Sequence, residues 1–502
     1  MLYAVTAQQM RAMEQKAFEN GVPSLLLMER AAECAVDALG NLIGEFHGKR
    51  VLFACGPGNN GGDGLAAARI LLRRGGMPTV VLYAAPATDD AHTNAAFLEA
   101  LGVPAHVIKD TDGLSVSAFD AVMDCLFGTG LSRAPIGLPA ALIDYINAQP
   151  APVLSVDMPS GADATTGRVY DPCVKADATV VFHCHKVGLL VGPAREYAGK
   201  ITVADIGIPK RHLDAYAADD GWPTVAEQAD LARLLPDRPL TAHKGDAGRV
   251  LIYAGSLGMA GAAAMAAQAA LTAGAGLVTV AAGEGVIPVV QHLAPNATCM
   301  PVERAVNAPP PHDVLLAGCG LSRDPAVWER LLSLYHPDKP TVLNAAALNL
   351  LAEHPGFLLS PQTLITPHPG EAARLLGTDI AAVTDDLPGA ARALHTKYGA
   401  VVLLKSHASV MFDGSRMAIG GVAAPALAKG GSGDMLAGIL AGLIAQAKPN
   451  PDLQKIAQAA TLWMSLAANR AAETLGDLSV LSGDVLRYLG SVLVSARRRQ
   501  QS

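Results

Sequence analysis

The amino-acid sequence predicts an α/β protein with two tandem domains, each built on a parallel sheet with helices on both faces. The chain has 502 residues, more than one hydrophobic core usually supports. Short apolar runs alternate with helical patterns along most of its length, which is typical of βαβ units. The alternation is interrupted once, near the middle of the chain, and this interruption predicts the domain boundary.

The predicted strands fall into two groups on either side of that interruption. The first group is RVLFAC, TVVLYA, AVMDCLF, VLSVDM, ATVVFHC and ITVADIGI. The segment KRHLDAYAADDGWPTVAEQAD is charged and polar without apolar periodicity, so we place a boundary near residues 210–240. The second group is RVLIYAG, GLVTVAA, VLLAGCG, TVLNA, LLSPQTLITP and AVVLLKS, and a long helical region then begins at Gly433. The sequence has no short internal repeat, so the two domains differ from each other.

Composition excludes several classes of protein. Hydrophobic residues make up 51% of the chain and charged residues 17%, which argues against disorder. The net charge of -7 argues against a general nucleic-acid binder or a binder of anionic membranes. The 7 scattered cysteines suggest neither a disulfide ladder nor a zinc site, so we expect a cytoplasmic protein.

Two segments need separate interpretation for membrane targeting. The N-terminus, MLYAVTAQQMRAMEQKA, lacks the apolar region of a signal peptide and is typical of an amphipathic helix. Residues 254–283 carry no charge, but GSLG and AGAG interrupt them. We therefore predict a strand, a loop, a buried helix and a second strand there, not a membrane span.

The first glycine-rich turn follows the strand RVLFAC and contains G-x-G-x-x-G at Gly56, Gly58 and Gly61. This pattern alone suggests a dinucleotide cofactor. Such a site also needs an acidic residue at the end of the second strand, and that strand ends in Tyr83-Ala84-Ala85-Pro86. A glycine turn without a ligand remains an alternative.

Three further strand ends carry polar groups. Asp124 precedes GTGLSR, Asp157 and Ser160 lie in DMPSG, and Lys186 follows ATVVFHCH. The carboxyl ends of parallel strands meet at one crevice, so these groups are expected to converge. A helix cap is the alternative for either aspartate taken alone.

The segment His183-Cys184-His185 suggests a metal site, because alternate residues of a strand face the same side. Two histidines make a poor closed site, and no third ligand is apparent. We therefore predict that both histidines line the core or the crevice.

The motifs NNGGDG, GTGLSR, DMPSG, K-x-G-L-L and YAGKITVADIGIP, in this order, resemble the NAD(P)H-hydrate epimerase domain over residues 1–215. The resemblance implies a Rossmann-like three-layer sandwich. It implies that the hydrated dinucleotide is bound by Asn59, Asn60, Gly61, Gly62, Asp63, Gly128, Thr129, Gly130, Leu131, Ser132, Arg133 and Ala134. A potassium ion would be held by Asn60, Asp124 and Ser160.

By the same resemblance, Asp157 would contact the substrate, and Lys186 is the matching candidate for its acid/base partner. The hydrate carries a hydroxyl on the ring carbon next to nitrogen, and inversion at that carbon requires proton movement. A carboxylate and an ammonium that face each other could shuttle this proton.

The strongest motif in the second half is AKGGSGDMLAG, a glycine-rich turn that opens a helix. Such a turn presents free backbone N–H groups and the positive end of the helix dipole, which suits an anion. Asp434 at the helix start could act as a base towards a substrate hydroxyl, and a simple helix cap is the alternative. The sequence contains no G-x-x-x-x-G-K-[ST] motif, so a P-loop is excluded.

This turn resembles the ribokinase-like superfamily, whose α/β fold we therefore expect here. HKGDAGRV, GSLGMAGAA, TAGAGLVTVA, ITPHPGE and LLKS narrow the resemblance to the ADP-dependent NAD(P)H-hydrate dehydratase over residues 225–495, with residues 216–240 as linker and domain start. The implied substrate contacts are Ala262, Gly320, His368 and Asp434. The implied contacts of the adenine nucleotide are Lys405, Ser406, His407, Ala408, Ser409 and Gly433.

The resemblance connects a kinase-like fold with dehydration. Asp434 would deprotonate the ring hydroxyl, the nucleotide would phosphorylate it, and phosphate would then leave more readily than hydroxide. ADP or ATP would be the co-substrate, Mg²⁺ usually supports such transfers, and AMP and phosphate would be released with ADP. NADH hydrate and NADPH hydrate would be the substrates, and we expect a homo-oligomer without nucleic-acid or membrane partners.

The second domain departs from the family pattern at three places. Asn344-Ala345-Ala346 replaces the common Asp-Ala-Asp, Gly318-Cys-Gly-Leu-Ser322 replaces G-P-G-x-G, and Lys405-Ser-His replaces Lys-Gly-Ala. The loss of two carboxylates could weaken metal binding or substrate orientation. Three alternatives stay open: a degenerate dehydratase domain, a small-molecule kinase, and a non-catalytic binding role for the first domain.

Overall fold

The computed structural model describes residues 1–112, 114 and 119–501, and the chain divides into two compact units. The N-terminal unit is Leu2–Trp222, and the C-terminal unit consists of Met1 and Pro223–Ser502. The division between Trp222 and Pro223 falls inside the segment 216–240. Among the described residues, no helix combines the length and the apolar character needed to cross a membrane.

The N-terminal unit alternates strands and helices, as predicted. Its strands are β1 (Leu2–Val5), β2 (Arg50–Cys55), β3 (Met77–Leu82), β4 (Ala105–Val107), β5 (Ala121–Cys125), β6 (Val153–Val156), β7 (Ala178–Phe182), β8 (His185–Lys186) and β9 (Lys200–Ala204). Its helices are α1 (Ala7–Glu19), α2 (Ser24–Ile43), α3 (Asn59–Arg73), α4 (Asp89–Ala100), α5 (Leu138–Asn147), α6 (Val187–Val191) and α7 (Lys210–Asp220), with a 3-10 turn at Pro193–Tyr197.

Seven of these strands form a parallel sheet in the order β4-β3-β2-β5-β6-β7-β9. The pleat of β2 shows why helices cover both faces: Phe53 enters the core under α2 and α3, whereas its neighbours Leu52 and Ala54 enter the core under α5. The first core also contains Leu213 and Trp222, so α7 and the residues after it belong to this unit.

The C-terminal unit has a second sheet. Its strands are β10 (Thr224–Ala226), β11 (Arg249–Tyr253), β12 (Leu277–Ala282), β13 (Thr298–Pro301), β14 (Val314–Ala317), β15 (Thr341–Leu343), β16 (Thr363–Ile365), β17 (Val401–Leu404), β18 (Val410–Phe412) and β19 (Met417–Gly420). Their order is β13-β12-β11-β14-β15-β16-β17-β18-β19-β10.

The helices of this unit cover its sheet and bury a large Ala- and Leu-rich core. They are α8 (Leu231–Leu234), α9 (Ala260–Thr272), α10 (Ile287–Leu293), α11 (Val302–Asn307), α12 (Pro325–Leu334), α13 (Ala346–Ala352), α14 (Pro369–Leu376), α15 (Ile380–Asp385), α16 (Leu387–Tyr398), α17 (Ser432–Gln446), α18 (Leu453–Leu475) and α19 (Ser482–Gln501). Two 3-10 turns lie at Gln228–Asp230 and Pro425–Leu427.

Two predictions about local structure are wrong. The second sheet is not entirely parallel, because β17 with β18 and β18 with β19 pair antiparallel. β17 ends at Leu404 and β18 begins at Val410, which is too short a connection for a parallel crossover. The N-terminus is not one helix: β1 precedes Thr6, which caps α1 and exchanges hydrogen bonds with Gln9.

The helix pair α9 and α17 fixes the start of α17, where the glycine-rich turn ends. The two helices approach closely because α17 presents glycines to α9. A Cβ on Gly438 would lie 2.3 Å from Ala266 O, and a Cβ on Gly442 would lie 2.5 Å from Ala270 O. Neither position accepts a side chain unless the helices move apart.

We therefore expect Gly438→Ala to destabilise the C-terminal unit by about 1–3 kcal/mol, because the added methyl overpacks the α9–α17 contact. Gly490→Ala in α19 is the matched control, since nothing lies within 4 Å of its added Cβ. The control should be neutral or slightly stabilising, because alanine favours helix more than glycine does. Urea denaturation of the full chain measures both variants, and equal stability would contradict the packing argument.

Candidate active sites

The N-terminal unit contains an open cavity of about 480 Å³, a size that suits a small ligand. Turns at the carboxyl ends of parallel strands line one side of it. The predicted site residues among its lining are Asn59, Asn60, Asp63, Gly128, Thr129, Gly130, Leu131 and Asp157. The sheet therefore brings together the turns after β2, β5 and β6, as the crevice argument expects.

Five predicted residues lie elsewhere. Gly61 and Gly62 are buried in the first turn of α3, where a Cβ on Gly61 would lie 1.8 Å from Gly56 O. These glycines permit the tight turn and do not line the cavity. Ser132, Arg133 and Ala134 are exposed in the loop that continues beyond the lining residues.

Asp124 and Ser160 join two turns beneath this cavity. The fully buried Asp124 carboxylate accepts hydrogen bonds from Ser155 Oγ at 2.8 Å, Ser160 N at 2.8 Å, Ser160 Oγ at 2.5 Å and Leu126 N at 3.3 Å. Ser160 Oγ also accepts the Phe127 N–H at 2.9 Å. Burial raises the pKa of Asp124, and the hydrogen bonds from Ser160 and Ser155 oppose this rise.

Gly128 leaves room for two oxygens beside it. A Cβ at this position would lie 3.2 Å from Asn60 Oδ1 and 3.3 Å from Asp157 Oδ2. Asn60 Nδ2 is buried and lacks a hydrogen-bond partner among the described residues. Two oxygens and one amide donor therefore meet where the turns after β2, β5 and β6 converge.

Asp157 forms a buried ion pair with Lys186. Lys186 Nζ lies 2.9 Å from Asp157 Oδ1, and it donates to Phe182 O at 3.0 Å and Cys184 O at 3.2 Å. An ammonium has three donors, so this environment uses all of them. Lys186 is 0% exposed and does not line the cavity. The lysine thus orients the Asp157 carboxylate and has no donor left for a ligand.

His183, Cys184 and His185 are buried, as predicted for core or crevice residues. His183 has a φ of 63°, so the strand alternation that would place both histidines on one side is broken. Burial lowers the pKa of His185 to about 4, which keeps the ring neutral. Within the described ranges, no group of three or more His, Cys, Asp or Glu residues is arranged to hold a metal ion.

Helices α1 and α2 supply part of the lining that the sequence did not reveal. The lining residues without a sequence-based prediction include Met10, Arg11, Glu14, Phe18, Ser24, Leu27, Met28 and Ala31 from these two helices, and Tyr83, Thr88 and Asp90 from elsewhere in the unit. Burial, followed by the nearby Asp157 charge, raises the pKa of Glu14 to about 7. The available signal was its spacing, because Glu14 follows the buried Met10 by four residues and shares its helix face.

In the C-terminal unit, Asn344 connects the glycine-rich turn before α17 to two strand ends. Asn344 Nδ2 donates to Asp434 Oδ1 at 3.1 Å, and Asn344 Oδ1 accepts from Lys405 Nζ at 3.1 Å and from Thr366 Oγ1 at 3.0 Å. Asn344 follows β15, Lys405 follows β17, and Asp434 lies in the first turn of α17. The amide therefore links the candidate base to a cation.

Burial shifts the pKa of both charged groups. Burial raises the pKa of Asp434, whereas Cys319 and Lys405 oppose the rise. Burial lowers the pKa of Lys405, and the charges of Glu371 and Asp434 oppose this. A Cβ on Gly433 would lie 3.2 Å from Lys405 Nζ, so the glycine lets the ammonium approach the N-terminus of α17. A cation and a helix N-terminus next to each other suit an anionic ligand.

The remaining predicted contacts lie in four other segments of this unit. Ala262 and Gly320 are neighbours, since a Cβ on Gly320 would lie 2.8 Å from Ala262 Cβ. His368 is exposed and caps α14, where Gly370 N donates to its Nδ1 at 3.0 Å. Ser406, His407, Ala408 and Ser409 form the connection between β17 and β18, in which Ala408 and Ser409 are buried.

Comparison with known protein families finds a match for each unit. Residues 24–188 match the family described as YjeF-related protein N-terminus. Residues 250–490 match the family described as NAD(P)H-hydrate dehydratase. The two matches contain Asp157 and Asp434, respectively.

Alignments with curated relatives cover nearly the whole chain. The bifunctional NAD(P)H-hydrate repair enzyme of Moorella thermoacetica is 37% identical, and the alignment covers 98% of this chain and 97% of that protein. The enzyme of the same name from Escherichia coli is 33% identical over 93% of this chain and 89% of its own. The ADP/ATP-dependent NAD(P)H-hydrate dehydratase of Bacillus subtilis, co-crystallised with ATP/Mg²⁺, has a TM-score of 0.50 and 25% identity over 55% of this chain and 99% of its own.

The buried ion pair predicts a clear difference between two lysines. Lys186→Met should lower the free energy of unfolding of the N-terminal unit by about 3–5 kcal/mol, because Asp157 keeps a largely buried charge without a partner. Lys210→Met, which removes an exposed partner of Asp214, should cost less than about 1 kcal/mol. Urea denaturation of both variants tests this, and similar losses would contradict the assigned role of the pair.

Proposed function

The chain belongs to the family of bifunctional NAD(P)H-hydrate repair enzymes, and from this premise we propose that its two units act in succession on hydrated nicotinamide dinucleotides. The N-terminal unit interconverts the R and S epimers of NADH hydrate and NADPH hydrate. The C-terminal unit uses ADP or ATP to dehydrate the S epimer and so regenerates NADH or NADPH. When ADP is the donor, the other products are AMP and phosphate.

The epimerase proposal depends on the oxygens of Asp157 and Asn60, which meet beside Gly128 at the cavity. Inversion at the hydroxylated ring carbon needs a bond at that carbon to break and form again. Reversible loss and re-addition of water does this at the C–O bond. Asp157 can take a proton from the incoming water. Lys186 was predicted to shuttle a proton. Its three N–H groups are all occupied, which favours a role in which Lys186 positions Asp157 and transfers no proton itself.

We also propose that potassium is held by Asn60, Asp124 and Ser160. All three provide oxygen, which suits a hard cation. The donors to the buried Asp124 carboxylate are all neutral, so a cation would compensate its charge. When bound, the ion would add positive charge at the cavity and favour binding of an anionic dinucleotide.

The dehydratase proposal depends on the contact chain from Lys405 through Asn344 to Asp434. Asp434 would remove the proton from the substrate hydroxyl. Lys405 and the free N–H groups at the start of α17 would stabilise the charge of the transferred phosphoryl group. Phosphate then leaves, the neighbouring ring carbon loses a proton to solvent, and the ring double bond forms; phosphate is a better leaving group than hydroxide.

Magnesium fits this site as a companion of the nucleotide. Mg²⁺ commonly binds one or two carboxylates together with substrate phosphates. Asp434 and Glu371 are two carboxylates near each other here, since the charge of Glu371 raises the pKa of Asp434. Asn344 Oδ1 already accepts two hydrogen bonds, so the amide that stands in place of an aspartate fixes Lys405 and not a metal.

For the epimerase, we expect Asp157→Asn to slow R-to-S conversion by about 10²-fold or more, because the proton acceptor is lost. The variant should still dehydrate purified S hydrate. Asp144→Asn, an exposed position on α5, is the matched control. Chromatography of the epimers measures the rate, and omission of potassium should lower it in the wild type. Wild-type conversion by Asp157→Asn would contradict the assignment.

For the dehydratase, Asp434→Asn should reduce recovery of absorbance at 340 nm from S hydrate by about 10²–10⁴-fold with either ADP or ATP. Asp484→Asn, another first-turn aspartate, controls for helix capping in α19. If the wild type accumulates a phosphorylated product without NADH, the unit is a small-molecule kinase. If the wild type does not react at all, Asn344-Ala345-Ala346 marks a degenerate domain.

A further inference from the structure

The buried ion pair leaves the epimerase with one proton-transfer group where its reaction needs two. Loss of water requires a proton donor to the leaving hydroxyl, and re-addition requires an acceptor for the proton of the incoming water. Asp157 can fill one role. Lys186 cannot fill the other, because Asp157 and two backbone carbonyls occupy its three N–H groups. The second group must therefore be another residue of the cavity lining.

The ionisable lining residues other than Asp157 include Arg11, Glu14, Asp63, Tyr83 and Asp90. An arginine does not give up its proton in proteins. Burial raises the pKa of Tyr83 to about 12, too high for proton exchange near neutral pH. Of the three carboxyl groups that are left, Glu14 and Asp63 are the two that lie close enough to Asp157 for its charge to raise their pKa, so we consider these two.

Glu14 and Asp63 differ in the charges around them. Burial and the charges of Asp157, Glu14 and Asp90 all raise the pKa of Asp63, so each of these influences favours its protonated form. The pKa of Glu14 is raised by burial and by the charge of Asp157 and lowered by the charges of Lys186 and Arg11, and it lies at about 7. A group that titrates near the working pH can both give and take a proton.

The sequence of α1 turns Glu14 towards the cavity. Thr6 and Gln9 form a capping box that sets the start of the helix. Met10, Glu14 and Phe18 then follow at intervals of four residues, which places them on one helix face, and all three line the cavity. Glu14 therefore lies on the wall that a bound ligand would contact. Its carboxyl is near enough to Asp157 for that charge to raise its pKa.

We propose that Glu14 is the second proton-transfer residue of the epimerase, an inference that rests on the function proposed above. In one direction the Glu14 carboxyl protonates the leaving hydroxyl, the C–O bond breaks, and the ring nitrogen lone pair forms an iminium. Water then adds to the other face of the carbon and gives a proton to Asp157. That proton returns to Glu14 through water, and the reverse direction exchanges the two roles.

The decisive experiment compares Glu14→Gln with wild-type enzyme in R-to-S conversion on both sides of neutral pH. Glu14→Gln should lower kcat by about 10²–10⁴-fold with little change in KM, because glutamine keeps the shape but transfers no proton. In the wild type, kcat/KM should fall as pH rises past about 7, where Glu14 loses its proton. The variant should lack this fall, the alkaline limb of the pH profile.

Two further variants keep the test decisive. Glu19→Gln, on the same helix with a side chain 53% exposed, should behave as wild type. Arg11→Gln removes a positive charge that lowers the Glu14 pKa, so the limb should move to higher pH. This shift does not require Glu14→Gln to fold. Dehydration of S hydrate by each preparation checks that the C-terminal unit of the chain is intact.

The outcomes separate the two proposals. Wild-type chain that never interconverts the epimers would overturn the epimerase function itself. If the wild type is active and Glu14→Gln keeps both its kcat and its fall in kcat/KM above about pH 7, Glu14 does not have the proposed role. A variant that raises only KM would also overturn the role. Loss of the limb in Asp63→Asn but not in Glu14→Gln would also overturn it. If Glu14→Gln does not fold, an unmoved limb in Arg11→Gln decides against Glu14.

Discussion

Parallel strand pairing is the constraint on which both sites depend. Because neighbouring strands run the same way, their carboxyl ends lie at one edge of each sheet, and the turns that follow are brought together. Asn60 and Asp157 come from turns after β2 and β6, although nearly a hundred residues separate them. Asn344 and Lys405 meet in the same way after β15 and β17. Each fold therefore assembles a polar site from residues that are remote in sequence.

The two units differ in how a lysine is placed relative to the buried carboxylate of the site. A buried carboxylate needs a partner, because burial without one is costly. In the N-terminal unit Lys186 contacts Asp157 directly and is saturated by two carbonyls, so the charge is fixed. In the C-terminal unit the amide of Asn344 stands between Lys405 and Asp434. That separation leaves the lysine able to meet an incoming anion, which suits phosphoryl transfer.

Much of this architecture follows from local sequence patterns. Each of the twelve predicted strands overlaps a strand of the structure, because apolar runs of four or more residues carry a strong signal. The strands β1, β4, β8, β10, β13, β18 and β19 were not predicted; each has only two to four residues, and so short a strand shows little of the alternation on which the prediction depends. Asp124 and Asp157 have the same local signal, a carboxylate at a strand end. Only the tertiary structure shows that one joins buried turns whereas the other lines the cavity.

The contribution of α1 and α2 to the cavity depends on how these helices pack, which no turn motif encodes. Glu14 occupies an ordinary position of an amphipathic helix, and its raised pKa arises from burial and from the charge of Asp157 in the folded chain. The saturation of Lys186 is likewise a property of the folded chain, because two of its acceptors are backbone carbonyls. Sequence motifs thus identify the reaction, whereas packing decides which groups can move protons.

Absorbance at 340 nm in a mixture of R and S NADH hydrate with ADP, ATP, potassium and magnesium shows whether one chain carries both activities. The wild-type chain should restore most of the NADH, including the R portion. Asp157→Asn should stop once the S portion is consumed. Recovery limited to the S portion in the wild type, or no recovery at all, would show that the chain does not carry both activities.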